Sequence, residues 1–208
     1  VRGLVWSPDG MRLAVDFVNA AWGRWVRPYD AGGTPIALPG GRPPGEVVGN
    51  DPAWSPDGRF LAYAQSLALE HHIVIVSSDG TLVRQIEVPR DAYGLAWSPD
   101  GTRIAYVATS TPVEDVGDLR LVWADGTGDV LLAPGVTVDK PAWSPDGRWI
   151  AYLDVVTFGD QDLRLASADG AHDILLSQNA SSVWGPPTWS PDGSRLAHGL
   201  ESADDDLV

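Results

Sequence analysis

The chain has 208 residues, 44% of them hydrophobic, and a formal charge of −14 from 14 basic and 28 acidic side chains. That balance lacks the clustered Lys and Arg that nucleic acids and anionic membrane surfaces reward, and it favours neutral, basic or cationic partners. With no cysteine and no apolar run approaching about 18 residues, disulfides, thiolate chemistry and membrane insertion are excluded as readings of these residues.

A decapeptide organises what remains. It reads WSPDGMRLAV from Trp6, WSPDGRFLAY from Trp54, WSPDGTRIAY from Trp97, WSPDGRWIAY from Trp143 and WSPDGSRLAH from Trp189, at intervals of 48, 43, 46 and 46 residues. Periods of this size belong to propeller blades or helical arrays. In each copy a short apolar strand ends in Trp, as in Leu4-Val5-Trp6. Ser-Pro-Asp-Gly then supplies a tight turn, with Pro presetting φ and Gly taking the left-handed position. A second strand follows, apolar at consecutive positions (Leu61-Ala62-Tyr63, Ile104-Ala105-Tyr106, Ile150-Ala151-Tyr152), which implies burial on both faces. A helix does not carry Pro-Asp-Gly at its centre.

Further along each repeat a Gly-closed hairpin recurs at Ala31-Gly32-Gly33, Ser78-Asp79-Gly80, Ala124-Asp125-Gly126 and Ala168-Asp169-Gly170. Third strands lead into it from Val26, Ile73, Leu119 and Leu163. Outer strands leave it at Pro35-Ile36-Ala37-Leu38, Leu82 to Ile86, Val130-Leu131-Leu132 and Ile174-Leu175-Leu176. Four strands per repeat predict an all-β chain, a β-propeller of four-stranded antiparallel blades. The expected blades are 1–48, 49–91, 92–137, 138–183 and a partial fifth at 184–208, within one domain. The fifth has the strand 195–198 and only the start of a third at Leu207-Val208, so the sequence reads as part of a larger propeller. Its open edge is expected to be covered by further blades or by another chain.

WSPDG followed by two variable residues and Leu/Ile-Ala-Tyr resembles the TolB-like propeller repeat, a WD-like motif, over essentially the whole chain. The resemblance implies six-bladed bacterial propellers, periplasmic ones and the propeller domains of prolyl oligopeptidase-type peptidases among them. It implies a binding module and, by slight preference, a periplasmic or extracytoplasmic location. The chain departs from the pattern in having four and a half blades and in lacking an extra N-terminal domain.

Trp6, Trp54, Trp97, Trp143 and Trp189 read as structural wedges between blades, and Asp9, Asp57, Asp100, Asp146 and Asp192 as turn carboxylates bonding local amides. His71 and His72, adjacent on a strand, point to opposite faces and cannot readily share a metal. His172 lies in a turn, His198 replaces the repeat's Tyr, and the run at Asp204-Asp205-Asp206 reads as solvated. No GxSxG, Walker, HExxH or GxGxxG motif stands in its required context, so neither catalysis, a cofactor nor a metal is expected. The links entering each inner strand converge at the channel mouth opposite the SPDG turns. They carry the candidate binding residues Arg2, Asn50, Asp51, Asp91, Tyr93, Asp139, Lys140 and Trp184, extended by Trp22, Trp25 and Glu114 on neighbouring loops. The reading is a non-enzymatic scaffold for a protein or small ligand. Two others stand beside it: an accessory gating propeller of a larger peptidase-type enzyme, and a homo-oligomer formed through the incomplete fifth blade.

Overall fold

All five WSPDG segments fold alike. The Ser amide donates to the carbonyl five residues on (Ser7 to Arg12, Ser55 to Phe60, Ser98 to Arg103, Ser144 to Trp149, Ser190 to Arg195) at 2.8–2.9 Å. The Gly amide closes on the Ser carbonyl, with φ of 69–71° at Gly10, Gly58, Gly101, Gly147 and Gly193. Each Asp takes the Ser hydroxyl and the amide two residues on, as Asp57 does from Ser55 and Arg59. Both ends of the turn are thereby satisfied within ten residues, and the flanking strands are held antiparallel.

The computed structural model describes residues 1–19, 23–39, 47–67, 70–109, 116–137, 139–157, 160–178 and 186–198. Strands β1 (Gly3–Trp6), β2 (Leu13–Asn19), β3 (Gly23–Tyr29) and β4 (Val47–Val48) form one four-stranded sheet in chain order. Strands β5 (Asn50–Trp54), β6 (Phe60–Leu67), β7 (Glu70–Ser77) and β8 (Leu82–Glu87) form a second. The third and fourth repeats supply β9 (Asp91–Trp97), β10 (Arg103–Thr109), β11 (Val116–Trp123) and β12 (Val130–Thr137), then β13 (Ala142–Trp143), β14 (Trp149–Thr157), β15 (Asp160–Ser167) and β16 (Asp173–Ser177). A single pair, Val136 with Asp154, links these two blades into one ladder. Strands β17 (Thr188–Trp189) and β18 (Leu196–Ala197) make a short hairpin.

Two strand expectations are corrected. The first repeat's outer strand is not 35–38. Val47 and Val48 pair with Val26 and Trp25 instead, while 35–38 keep a lone bridge, Tyr29 to Pro35, and the Ile36 amide bond to the Pro28 carbonyl. Pro28 and Pro35 have no N–H to give, so a ladder cannot propagate there. The strand expected at 195–198 extends only over Leu196–Ala197, and 207–208 lie outside the described residues.

The consecutive apolar residues of the second strands divide between two cores. Leu61 and Tyr63 of β6 pack with Ala14, Val26 and Trp54, whereas Ala62 and Ala64 pack with Leu95, Trp97 and Ile104. In β10, Ile104, Tyr106 and Ala108 face that second core, and Ala105 and Val107 face a third with Ile150 and Tyr152. Alternation across the pleat thus buries the second and third blades on both sides, each between the blade before and the blade after it.

The Trp residues lock this stacking. Each indole N–H donates to the carbonyl preceding the Trp of the repeat before it: Trp54 to Val5, Trp97 to Ala53, Trp143 to Ala96 and Trp189 to Ala142, at 3.0–3.1 Å. Trp54 and Trp97 are 8% exposed. Trp6 departs from the expected wedge: it is 61% exposed, because none of the described sheets packs on that face of β1. Arg103 adds a second tie, its guanidinium lying 5.3 and 5.2 Å from the Trp123 and Trp143 rings and donating to the Ala168 carbonyl at 2.9 Å.

Candidate binding site in the central channel

Position relative to the repeat Trp decides what lines the axis. Three residues before it stand Gly3, Asp51, Gly94, Lys140 and Pro186, and all five border one cavity of about 480 Å³. Arg2 and Asp139 border the same cavity, with Asp16 in its wall. At the turn end, a cavity of about 510 Å³ is bordered by the Trp and the turn Pro of every repeat, from Trp6 and Pro8 to Trp189 and Pro191. Val5, Lys140 and Pro186 face both cavities, so a charged mouth leads into an indole- and proline-lined bowl. One ring member per repeat is the geometry of strands fanned about a common axis.

Of the residues singled out from sequence, Arg2, Asp51, Asp139 and Lys140 meet at this mouth. Asn50 stands behind them, its amide donating to the Asp51 carboxylate at 2.8 Å and to the Ala92 carbonyl at 3.1 Å. Tyr93 carries the Arg24 guanidinium over its ring at 5.0 Å, and Arg24 lies 3.9 Å from Asp51. Asp91 turns away from the cavity, accepting from Ser66 and lying 2.8 Å from His71 Nδ1. Trp25 is buried. Trp22, Glu114, Trp184 and Asp204 to Asp206 lie outside the described residues.

Two contributors were not singled out. Arg24 steadies Asp51, and Asp16 is a carboxylate only 4% exposed whose Oδ1 has no hydrogen-bond partner. A signal for Asp16 was present in the repeat register. It occupies the β2 position that Ala64, Val107 and Leu153 fill in the later repeats, so it breaks an otherwise apolar strand.

Asp51 is the non-glycine residue with positive φ, at 50°, among the described residues. Asp tolerates this conformation better than most side chains. Its Oδ2 is pinned by Asn50 and by the Gly94 amide at 3.3 Å. Gly94, at φ 60°, must stay bare: a Cβ there would stand 3.0 Å from both the Asp139 carbonyl and Lys140 Cα. Burial raises the Asp16 pKa, and the neighbouring Asp51 charge raises it further. Lys140 is open to the channel water but walled by protein; partial desolvation lowers its ammonium pKa, opposed by Asp51.

Ser66, His71 and Asp91 have the composition of a hydrolytic triad without its geometry. The Ser66 hydroxyl donates directly to Asp91, and His71 presents the same Nδ1 to both, so the imidazole does not stand between Ser and Asp with one ring nitrogen for each. His72 sits on the alternate face of β7, and His172 donates its backbone amide to Ser167 Oγ in a turn. Among the described residues no three His, Asp or Glu side chains are grouped to hold a metal ion. The helix criterion for a membrane span is likewise met nowhere among them.

No family model matches the chain. A stretch of 88 residues, 42% of the chain, is 31% identical to the Tol-Pal system protein TolB of Anaeromyxobacter dehalogenans (strain 2CP-C), and it spans 20% of that relative. Among solved structures the chain is similar to a putative TolB from Agrobacterium tumefaciens, with TM-score 0.67 and 25% identity over 97% of this chain and 70% of that one. TolB from Acinetobacter baumannii superposes with TM-score 0.66 at 17% identity, over 88% of this chain and 45% of that one. A functionally unknown protein from Desulfotomaculum acetoxidans DSM 771 gives 0.62 at 17% identity, over 99% and 67%. The last two establish fold alone.

Proposed function

We propose that this chain, a TolB-like β-propeller, is a non-enzymatic binding scaffold that holds a protein segment or small ligand at the mouth of its central channel. The observation that carries the reading is the ring of repeat-equivalent positions at the mouth, where Asp51 and Lys140 stand in place of the Gly or Pro found at the other three, with Arg2 and Asp139 beside them in the same cavity. Charged side chains held in a concave, partly desolvated cavity are the makings of recognition. One similar protein is named for the Tol-Pal system, which favours a protein partner and an extracytoplasmic site of action. An acidic chain, at −14, adds attraction for a basic one.

The test is cross-linking in a bacterial extract with the wild type and with a variant carrying Asp51→Asn and Lys140→Met. A partner captured by the first and lost from the second supports the mouth as the binding surface. Equal capture by both overturns it.

A second reading, association with another copy, is supported by the apolar flank of the first sheet, where Leu4, Trp6 and Met11 are all exposed. Light scattering decides it: a monomer at tens of micromolar disposes of self-association, and a Trp6→Gln-sensitive dimer establishes it.

A further inference from the structure

We propose that the Asp16–Asp51 pair is a subsite for a guanidinium or ammonium group, so that the segment bound at the channel mouth inserts an Arg or Lys side chain. This rests on the binding-scaffold reading and gives its partner a chemistry. Asp16 is nine-tenths buried or more in the cavity wall, yet its Oδ1 is unpartnered. Among the described residues no basic group lies within ion-pair distance of it, although Arg2 and Arg24 act on it from further off. A buried carboxylate without a counter-charge costs stability, and such a cost is retained where a ligand relieves it.

The second carboxylate is placed to share that ligand. Asp51 interacts electrostatically with Asp16 and offers its own backbone amide to it. Asn50, Gly94 and the left-handed backbone at Asp51 hold that residue from the other side. A planar, multi-donor cation suits two carboxylates presented in this way. A divalent ion suits them less well: the three mouth carboxylates are not grouped as ligands, and Arg2 and Lys140 share the cavity. Those two cations are positioned instead to receive carbonyls or a carboxylate of the same segment.

The probe is Nα-acetyl-arginine methylamide, titrated into the full chain at low salt and followed by amide chemical shifts. The uncharged Nα-acetyl-norleucine methylamide is the control. Saturable shifts at Asp51 and Gly94 with the arginine probe, absent with norleucine, are expected. Asp16→Asn and Asp51→Asn should each weaken binding about tenfold, while Asp125→Asn, in an exposed hairpin turn outside the cavity, leaves it unchanged. Both cavity variants keep the local shape, and Asn tolerates the backbone at position 51.

Equal shifts with the two probes, no shifts with either, or binding indifferent to Asp16→Asn would overturn the subsite. So would calcium chloride producing the same shifts where the arginine probe produces none. The two proposals fail separately. A partner captured through the mouth in the cross-linking test, with no arginine response, leaves the scaffold standing and removes only the cationic subsite.

Discussion

Asp16 and the turn aspartates carry the same side chain in opposite surroundings, and their effects on stability run in opposite directions with pH. At Asp79 and Asp192 the Ser hydroxyl and local amides favour the charged form and hold the pKa at about 2, below the ordinary 3.8. A depressed folded-state pKa contributes stability that is present above the unfolded value and is lost as pH falls through the folded one. Thermal melts should therefore decline as pH drops from about 4 towards 2, and Asp192→Asn should flatten that decline locally. At Asp16 burial raises the pKa above 3.8, so its contribution is present at low pH and is lost as pH rises through the raised value. Asp16→Asn is thus expected to melt higher than the wild type at pH 7, with the gap closing below pH 4; a lower melting point at pH 7 contradicts this account. The turn carboxylates were legible in the sequence because their partners lie two residues away. For Asp16 the sequence marks only a polar break in an apolar strand, since its surroundings come from blade neighbours rather than from its own turn.

At the scale of the element, the second strand and the indole before it carry the fold. Trp97→Ala should cost roughly 3–5 kcal/mol in denaturant unfolding, through the cavity and the lost apolar contacts. Trp97→Phe keeps most of the packing and loses the bond to the Ala53 carbonyl, for about 1 kcal/mol. Trp6→Ala should cost far less than Trp97→Ala, because the Trp6 ring is mostly in solvent. Equal losses at the two sites would mean that the ladder is not what stabilises the stack. In the third and fourth repeats a Tyr–Asp–Arg clamp spans the sheet: Asp129 takes Tyr106 at 2.9 Å and Arg120 in a fork at 3.0–3.2 Å. Asp173 does the same for Tyr152 and Arg164. Arg120→Lys gives up the fork, and a loss of about 1–2 kcal/mol is expected. The strand order was readable because Trp, SPDG and the hairpin Gly punctuate every repeat. The first outer strand was misjudged because spacing alone cannot show that Pro28 and Pro35 fall on the two strands at adjacent rungs, Pro35 opposite Tyr29 and Pro28 opposite Ile36.

For the whole molecule, channel lining follows from counting back from each Trp, and three of the five ring positions (Gly3, Gly94 and Pro186) carry no charge. The charged mouth is therefore a departure from the repeat, whereas the bowl of Trp and Pro is the repeat itself. The bowl passed as structure in the sequence because identical residues signal packing. Only their arrangement about an axis turns them into a lined space. A net charge of −14 should speed the approach of a basic peptide and make that rate fall steeply between 50 and about 200 mM salt, measured by stopped-flow fluorescence. A rate indifferent to salt would leave no role for the overall field. The indole bonds carry one more consequence, since each repeat hooks backward with a donor and offers a carbonyl forward. Such a joint has a direction, like couplings on a train. Whole repeats can be duplicated, deleted or shuffled during evolution without inventing a new coupling, whereas two like ends brought together find hook against hook.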